Sequence, residues 1–295
     1  MINGIDVSHH NDISWPAILK LNLSQNLYFV FIKASEGLNN PDAKFAANRA
    51  GSATAGLLSG AYHFFLPTTD PAAQAQALVS QIGALAPGDL PPVVDIEWTK
   101  IMRGRQVVRK ELWNLVPAAQ RVVIIGEFLD AVEQRLGVKP IIYTAVSFWQ
   151  DFIVHGNTPA TLARFVQHPL WIVNIRGNLT VPAPWGKATF VQNGFGELAP
   201  KNATDFEKLD HDFFNGSLFG LLSLATKGKV FAKKAPVSPF VRDFQQALKA
   251  KGFYRDILDG DFGKNTEQAV KAFQKSIHLP VSGVIDEVTW KMLVV

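Results

Sequence analysis

The 295-residue chain contains no cysteine. A disulfide framework and a thiolate zinc site are therefore both excluded. Long apolar runs are also missing. The best one, residues 218–226, is far shorter than the roughly 20 residues a spanning helix needs, so stable membrane insertion is not expected. No charged-then-apolar leader precedes Met1-Ile2-Asn3-Gly4-Ile5-Asp6, which runs directly into a strand pattern. That start reads as a chain made in the cytoplasm without a secretory signal. Phosphate loops, dinucleotide fingerprints, zinc motifs and serine-nucleophile elbows are absent, so no cofactor or metal is expected. Charged residues make up only 18% of the chain against 47% hydrophobic. That balance excludes global disorder and supports a packed core.

The net charge of +4 is unevenly placed. Residues 1–222 carry −1 and residues 238–295 carry +1. Residues 223–237 hold Lys227, Lys229, Lys233 and Lys234 with no acid, and so carry +4. A segment of this kind suits an anionic surface such as wall polymer, lipid headgroups or nucleic acid. The alternative is a solvated, flexible tether. It leads into Ala235-Pro236-Val237-Ser238-Pro239, a composition typical of a boundary. The domain reading is thus a large unit over 1–222, a basic linker over 223–237 and a small unit over 238–295.

In the large unit, apolar strand-like runs at 4–8, 28–33, 57–65, 92–97 and 140–144 alternate with helix-like stretches. Ser14-Trp15-Pro16 opens the first helix with a capping side chain and a first-turn proline. Others run over 42–55, from Asp70-Pro71 to Gly83, and over 117–136 with Gly137 as a stop signal. This alternation predicts a parallel sheet with crossover helices. After Thr144 the rhythm changes. Residues 170–174, 188–192 and 209–214 read as strands, but no long periodic helices separate them. The fold class expected is α/β: an irregular TIM-like barrel of five βα units and three further strands, closed by hairpin-like connections. The small unit repeats itself, Gly260-Asp261-Phe262-Gly263-Lys264-Asn265-Thr266 aligning with Gly283-Val284-Ile285-Asp286-Glu287-Val288-Thr289. It reads as an all-α three-helix module, close to the smallest size that folds alone.

Asp95-Ile96-Glu97 ends the fourth strand. Residues i and i+2 share a strand face, so two carboxyls enter one space about 7 Å apart at their backbones. Active sites of barrels sit at that end of the strands. Glycoside hydrolysis needs such a pair, one carboxyl protonated for the leaving oxygen and one ionised. Proximity of like charges separates the two pKa values. Asp6 ends the first strand and Asp210 lies in the last, and in a closed barrel those strands are neighbours. Either acid has a second reading, as a turn cap or a tie holding the barrel shut. Lys33 and Glu36 are placed to pair with each other or to orient the catalytic acids. Tyr62, Trp98 and Trp149 suit sugar stacking or rim packing. His63 suits the groove or an ordinary hydrogen bond. His9 and His10 show no metal-ligand spacing.

Five ordered segments carry a resemblance. They are Gly4-Ile5-Asp6-Val7-Ser8, Phe31-Ile32-Lys33-Ala34-Ser35-Glu36-Gly37, Gly60-Ala61-Tyr62-His63-Phe64, Val94-Asp95-Ile96-Glu97, and Asp210 with Phe214-Asn215-Gly216. Residues 1 to about 220 are similar to the family-25 glycoside hydrolases, the lysozymes of the Chalaropsis type. The resemblance implies an N-acetylmuramidase cutting the β-1,4 bond from N-acetylmuramic acid to N-acetylglucosamine. It implies Glu97 as general acid, with Asp95, Asp6 and Asp210 as supporting carboxylates. Tyr62, His63, Lys33, Glu36, Trp98 and Gln192 are the expected substrate-binding residues. Phe244-Gln245, Gly252-Phe253, Asp259-Gly260, Thr266 and Phe273-Gln274 resemble the three-helix peptidoglycan-binding domain of wall hydrolases. Two positions depart from the family pattern. Val191 stands where an aromatic usually precedes Gln192, and Asn174-Ile175 stands where an aromatic often lies. The segment 98–121, with Arg103, Arg105, Arg109 and Lys110, reads as a lid, a groove wall or a surface loop.

Bacterial peptidoglycan is accordingly the expected partner, with no nucleic acid, and the chain is expected to be a monomer. It would act on the wall after release through a pore or a secretion machine, as a phage endolysin or an effector. A chitinase-like glycosidase and a non-catalytic wall-binding protein are the competing readings.

Overall fold

A computed structural model describes residues 1–99, 101–103, 106–174, 177–194, 206–225 and 228–294. Eight strands form the barrel: β1 (Ile2–Val7), β2 (Leu27–Glu36), β3 (Leu58–Phe64), β4 (Val93–Asp95), β5 (Ile141–Ala145), β6 (Leu170–Val173), β7 (Phe190–Gly194) and β8 (Asp210–Phe214). Neighbours from β1 to β7 pair in parallel. The last strand, β8, runs antiparallel to both β7 and β1 and shuts the barrel. All eight predicted strands are present, and one antiparallel strand supplies the closure.

The helices follow the same punctuation. Helix α1 (Trp15–Gln25) begins after Ser14 with proline in its first turn, but the expected Ser14 side-chain cap is not formed among the described residues. Helix α2 spans Phe45–Thr54. Helix α3 (Pro71–Ile82) is capped by Asp70, whose side chain accepts from the Ala73 backbone N–H at 2.7 Å. Helix α4 (Ala118–Leu136) stops at Gly137, which takes the left-handed conformation with φ 70°. A short helix, α5 (Leu218–Leu224), occupies the apolar run that is too short to cross a membrane. Among the described residues no helix is long and apolar enough for that role. Between β4 and α4 the backbone forms a small hairpin, Ile101–Arg103 against Gln106–Arg109, so this stretch is more than an open loop. Arg105 lies outside the described residues.

The outer core lies between the barrel wall and the helices. It includes Ile5, Val30, Ile32, Val94, Ile96, Phe128 and Ile142, all 1% exposed or less. The inner core fills the barrel with aromatics. Phe31 stacks on Trp171 at 4.4 Å between centroids and meets Phe190 edge-on at 5.1 Å. Two glycines make room for these rings. A Cβ on Gly4 would sit 2.3 Å from the Phe29 ring, and one on Gly60 would sit 2.7 Å from Phe31. The glycines of the first and third motifs are thus packing requirements of the barrel interior.

The inner core continues beyond the barrel. Tyr28, Phe29, Phe31 and Phe214 belong to one apolar cluster with Phe231, Phe240, Phe244 and Trp290. Burying each such ring stabilises by about 1.5–3 kcal/mol. The C-terminal unit comprises α6 (Pro239–Ala250), α7 (Lys264–Ser276) and α8 (Glu287–Val294). Its internal repeat is built twice by the same device. Gln245 Oε1 accepts from the Gly260 backbone N–H, and its Nε2 donates to Thr266 Oγ1. Gln274 does the same with Gly283 and Thr289. Both glycines have positive φ, 71° and 73°, where a side chain is strained.

The unit docks on the N-terminal end of the barrel. The Tyr28 hydroxyl donates to Asp243 Oδ2 at 2.6 Å, and Phe240 packs edge-on against the Tyr28 ring. Asn22 Nδ2 donates to the Val237 carbonyl at 2.7 Å. Arg242 donates to the Leu23 carbonyl and to Asn26 Oδ1. The basic segment is packed down as well. Phe231 is 2% exposed and its backbone exchanges two hydrogen bonds with Ile285. Residues 228–237 therefore lie against both units instead of forming a free tether, and Lys227 falls outside the described residues.

Candidate active site

The C-terminal ends of the parallel strands surround a cleft of about 880 Å³, lined among others by Asp6, Tyr62, Asp95, Glu97, Trp98 and Asp210. The size suits a small-molecule or oligosaccharide ligand. Asp6 and Asp210 are register partners across the β1–β8 seam. They meet because β8 is antiparallel, so its first residue lies at the same rim as the last residues of the other strands. Asp95 and Glu97 alternate with Ile96, which is fully buried in the outer core. Strand parity therefore turns both carboxyls toward the cleft.

The loop carrying Glu97 is pinned from behind. Trp113 Nε1 donates to the Glu97 carbonyl at 2.9 Å. Glu111 accepts from Thr99 Oγ1 at 2.8 Å and from the Thr99 backbone N–H. Trp98 is 41% exposed at the cleft lip and stands edge-on to buried Phe148. It thus presents a rigid aromatic face to solvent.

Hydrogen bonds orient the acid on the opposite wall. The Tyr143 hydroxyl donates to Gln192 Oε1 at 2.7 Å, which leaves Gln192 Nε2 to donate to Asp6 Oδ2 at 2.6 Å. Below them lies Asp212, 2% exposed, accepting from Trp171 Nε1 at 2.8 Å. Asp212 shares the inward face of β8 with Asp210, two residues away. The same i, i+2 parity that pairs Asp95 with Glu97 would have revealed it. Tyr143 follows Ile141 on β5 by the same rule.

Crowding acids in a desolvated cleft disfavours their charged forms. Burial, with the Asp210 charge next, pushes Asp6 up to about 8. Burial also pushes Glu97 up to about 7, where Lys33 opposes the rise and Asp210, Glu111 and Glu36 add to it. Asp95 lies well above the usual carboxylate range through burial and then the Glu97 charge. Asp212 is raised by burial and then by Asp6. Among the described residues Asp95 Oδ1 is buried without a hydrogen-bond partner, while Asp212 also interacts with the Asp6 side chain. Burial and mutual charge thus favour the protonated forms of these carboxyls, the state from which a proton can be donated.

The structure brings together Asp6, Tyr62, Asp95, Glu97, Trp98, Gln192 and Asp210 of the expected residues. Lys33 and Glu36 pair with each other at 3.0 Å, and Lys33 also lies 5.2 Å from the Phe64 ring centroid. They are outside the cleft lining and act on the acids through charge. His63 is a correction. It is fully buried, hydrogen-bonded to Ser35 Oγ at 2.9 Å and close to Gln74, and stacked on Phe128. Its neighbour Tyr62 faces the cleft, so strand parity turns His63 toward the helices. Trp149 is likewise buried and donates to the Ala183 carbonyl, a packing role. His9 pairs with Asp42 at 2.7 Å. Among the described residues no group of three or more His, Asp or Glu side chains has the geometry to hold a metal ion. Of the two departures from the family pattern, Val191 is fully buried, Asn174 lines the cleft and Ile175 lies outside the described residues.

Comparison with known proteins agrees with this architecture. The sequence matches the glycosyl hydrolases family 25 over residues 5–192 and a peptidoglycan binding domain over residues 237–293. The uncharacterized protein YegX of Escherichia coli is 34% identical over 59% of this chain, and the match spans 56% of YegX, little more than half its length. Lysozyme M1 of Streptomyces globisporus is 30% identical over 76% of this chain and 71% of its own. The structure of a muramidase from Acremonium alcalophilum superposes with a TM-score of 0.64 at 27% identity, covering 76% of this chain and 98% of that one. With its barrel, its ordered motifs and its acid-lined cleft, the chain belongs to the glycosyl hydrolases family 25.

Proposed function

We propose that the protein is an N-acetylmuramidase hydrolysing the β-1,4 bond between N-acetylmuramic acid and N-acetylglucosamine in bacterial peptidoglycan. The observation that carries the reading is the pair Asp95 and Glu97 at one strand end, facing Asp6 and Asp210 across a single cleft. Glu97, with its pKa near neutral, donates a proton to the leaving oxygen. A general acid works best with a pKa close to the working pH. Asp95 polarises the substrate's own acetamido group for internal attack, or assists a water; its Oδ1, without a hydrogen-bond partner among the described residues, is the acceptor such a group would need. Asp6 and Asp210 hold the field, and Trp98 and Tyr62 offer ring faces to the sugars. The C-terminal unit holds the enzyme on the wall, which is therefore its place of action.

Turnover of purified peptidoglycan tests this reading. Glu97→Gln should lose at least about 100-fold in rate, since general-acid catalysis contributes roughly that or more. Mass spectrometry of the digest should show N-acetylmuramic acid at the new reducing ends. Near-normal turnover by the variant would remove Glu97 from the chemistry. Release of sugar from chitin with none from peptidoglycan would replace the substrate.

A further inference from the structure

A second cavity, of about 490 Å³, lies where the basic segment crosses the N-terminal end of the barrel. Its lining contains Arg49, Asp89, Lys229, Lys233 and Lys234, so four cations face one acid among the described residues. Arg49 is committed, donating to Asp89 Oδ2 and to the Ile82 carbonyl, both at 2.7 Å. Lys233 lies 3.9 Å from Glu267, which already holds Lys271 at 2.6 Å.

Lys229 and Lys234 are different. The Lys229 stem lies across Gly88, and its ammonium sits 5.7 Å from the Phe231 ring centroid. It has no hydrogen bond or ion pair among the described residues. Burial brings this ammonium down to about 8, with Asp89 opposing the shift. Lys234 is held at φ 74° in a turn that Ala235 closes by donating to the Ala232 carbonyl. Glycine is the usual residue there. A lysine kept in the left-handed region, beside a second lysine that is partly buried with no ion pair among the described residues, is unfavourable unless something compensates it.

We propose that this cavity binds a phosphate group, which bridges the basic segment to the barrel. Several lysines converging from one strap exceed what a singly charged carboxylate neutralises. A multivalent tetrahedral anion has the charge and the acceptor oxygens to meet them, and lysine is a natural point-charge partner for it. The group comes either from free phosphate or from the phosphodiester of an anionic wall polymer. In both cases its binding fastens the two units together at a place distant from the catalytic cleft. The proposal is independent of the muramidase reading.

Thermal melting of the full chain, at fixed pH and matched ionic strength, tests it. Inorganic phosphate should raise the melting temperature by about 2–4 °C over chloride, because a ligand that binds only the folded state stabilises it. Lys229→Met and Lys234→Gly should each remove most of that rise. Glycine accepts φ 74° freely, so Lys234→Gly should melt no lower than the parent without phosphate, and its lost response cannot be blamed on misfolding. A parallel titration with a short glycerol-phosphate oligomer identifies the source. A lower half-saturating concentration for the oligomer points to wall polymer, and a lower one for inorganic phosphate points to the free ion. No rise with either probe, an equal rise in chloride, or a full response in both variants overturns the proposal.

Discussion

Asp6 and Asp210 face each other across the antiparallel β1–β8 seam of the barrel, so two carboxyls share one partly buried rim. The Asp210 charge raises both Asp6 and Glu97. Asp210→Asn removes that push, and Glu97 then loses its proton at lower pH. The alkaline limb of the rate profile, expected near pH 7 from Glu97, should move toward acid. Turnover should fall about tenfold or more, the equivalent of roughly 1.4 kcal/mol of lost stabilisation. A pH–rate profile on purified peptidoglycan measures both. An unmoved limb with normal turnover would take Asp210 out of the electrostatics.

Lys33 should act with the opposite sign. It lowers Asp95 and Glu97, and it neutralises Glu36 at 3.0 Å. Lys33→Met removes the cation and its pairing with Glu36, so Glu97 should hold its proton to higher pH. The alkaline limb should move up, while KM changes less than about twofold, because Lys33 is not in the cleft lining. Opposite displacements in the Lys33 and Asp210 variants cannot arise from general damage. A limb that moves the same way in both would refute the charge assignment.

The Tyr143–Gln192–Asp6 chain of hydrogen bonds fixes which end of the Gln192 amide meets Asp6. Without the Tyr143 hydroxyl the amide is free to turn. Tyr143→Phe should lower kcat about three- to tenfold, as expected for one hydrogen bond of roughly 0.5–1.5 kcal/mol. Gln192→Leu should cost at least as much. The double variant should lose no more than Gln192→Leu alone, since both changes cut one relay. Fully additive losses would show that the two side chains act separately.

Much of this site follows from strand parity alone. Gly60 must face inward to admit Phe31, so Tyr62 faces inward and His63 outward. That rule decides against His63 in the groove, where the residue type alone suggests a ligand contact. It equally places Asp212 beside Asp210, although the sequence reading names only Asp210. The strands and the four long barrel helices are legible because apolar patterning marks each run, with Asp70 capping α3 and Gly137 stopping α4. The docking of the small unit is not. Tyr28 and Asp243 are 215 residues apart, and no local pattern encodes their meeting. The linker's composition also suggests freedom, whereas Phe231 is buried between the two units. One aromatic among lysines outweighs the charge run around it.

Asp212 should show a conflict between stability and pH. Its folded-state pKa is raised by burial and by Asp6. The folded protein therefore binds this proton more tightly than the unfolded chain does. The cost of holding the group is absent below the unfolded pKa of about 3.8 and grows as pH rises toward the folded value. Asp212→Asn keeps an acceptor for Trp171 Nε1 and cannot ionise. It should melt at least about 2–4 °C above the parent at pH 8, the shift produced by roughly 1 kcal/mol. The two should melt alike near pH 3.5. Melting curves at the two pH values decide. A gain that is larger in acid would contradict the assigned direction.

The seam between the barrel and the small unit should make the molecule unfold as one. Phe240 is fully buried, packed edge-on against Tyr28 of the barrel and tilted against Phe231 of the basic segment. Phe240→Ala removes a ring from this junction and should cost about 3–5 kcal/mol. Tyr28→Phe removes only the hydroxyl that donates to Asp243, and should cost about 1 kcal/mol. The parent should give a single calorimetric transition, with both variants shifting that transition whole. The barrel would then melt with the unit that braces it, although neither substitution touches the catalytic cleft. Two transitions in the parent, with only the smaller one moved by Phe240→Ala, would mean that the units are thermodynamically independent and that the shared aromatic cluster contributes little to the barrel.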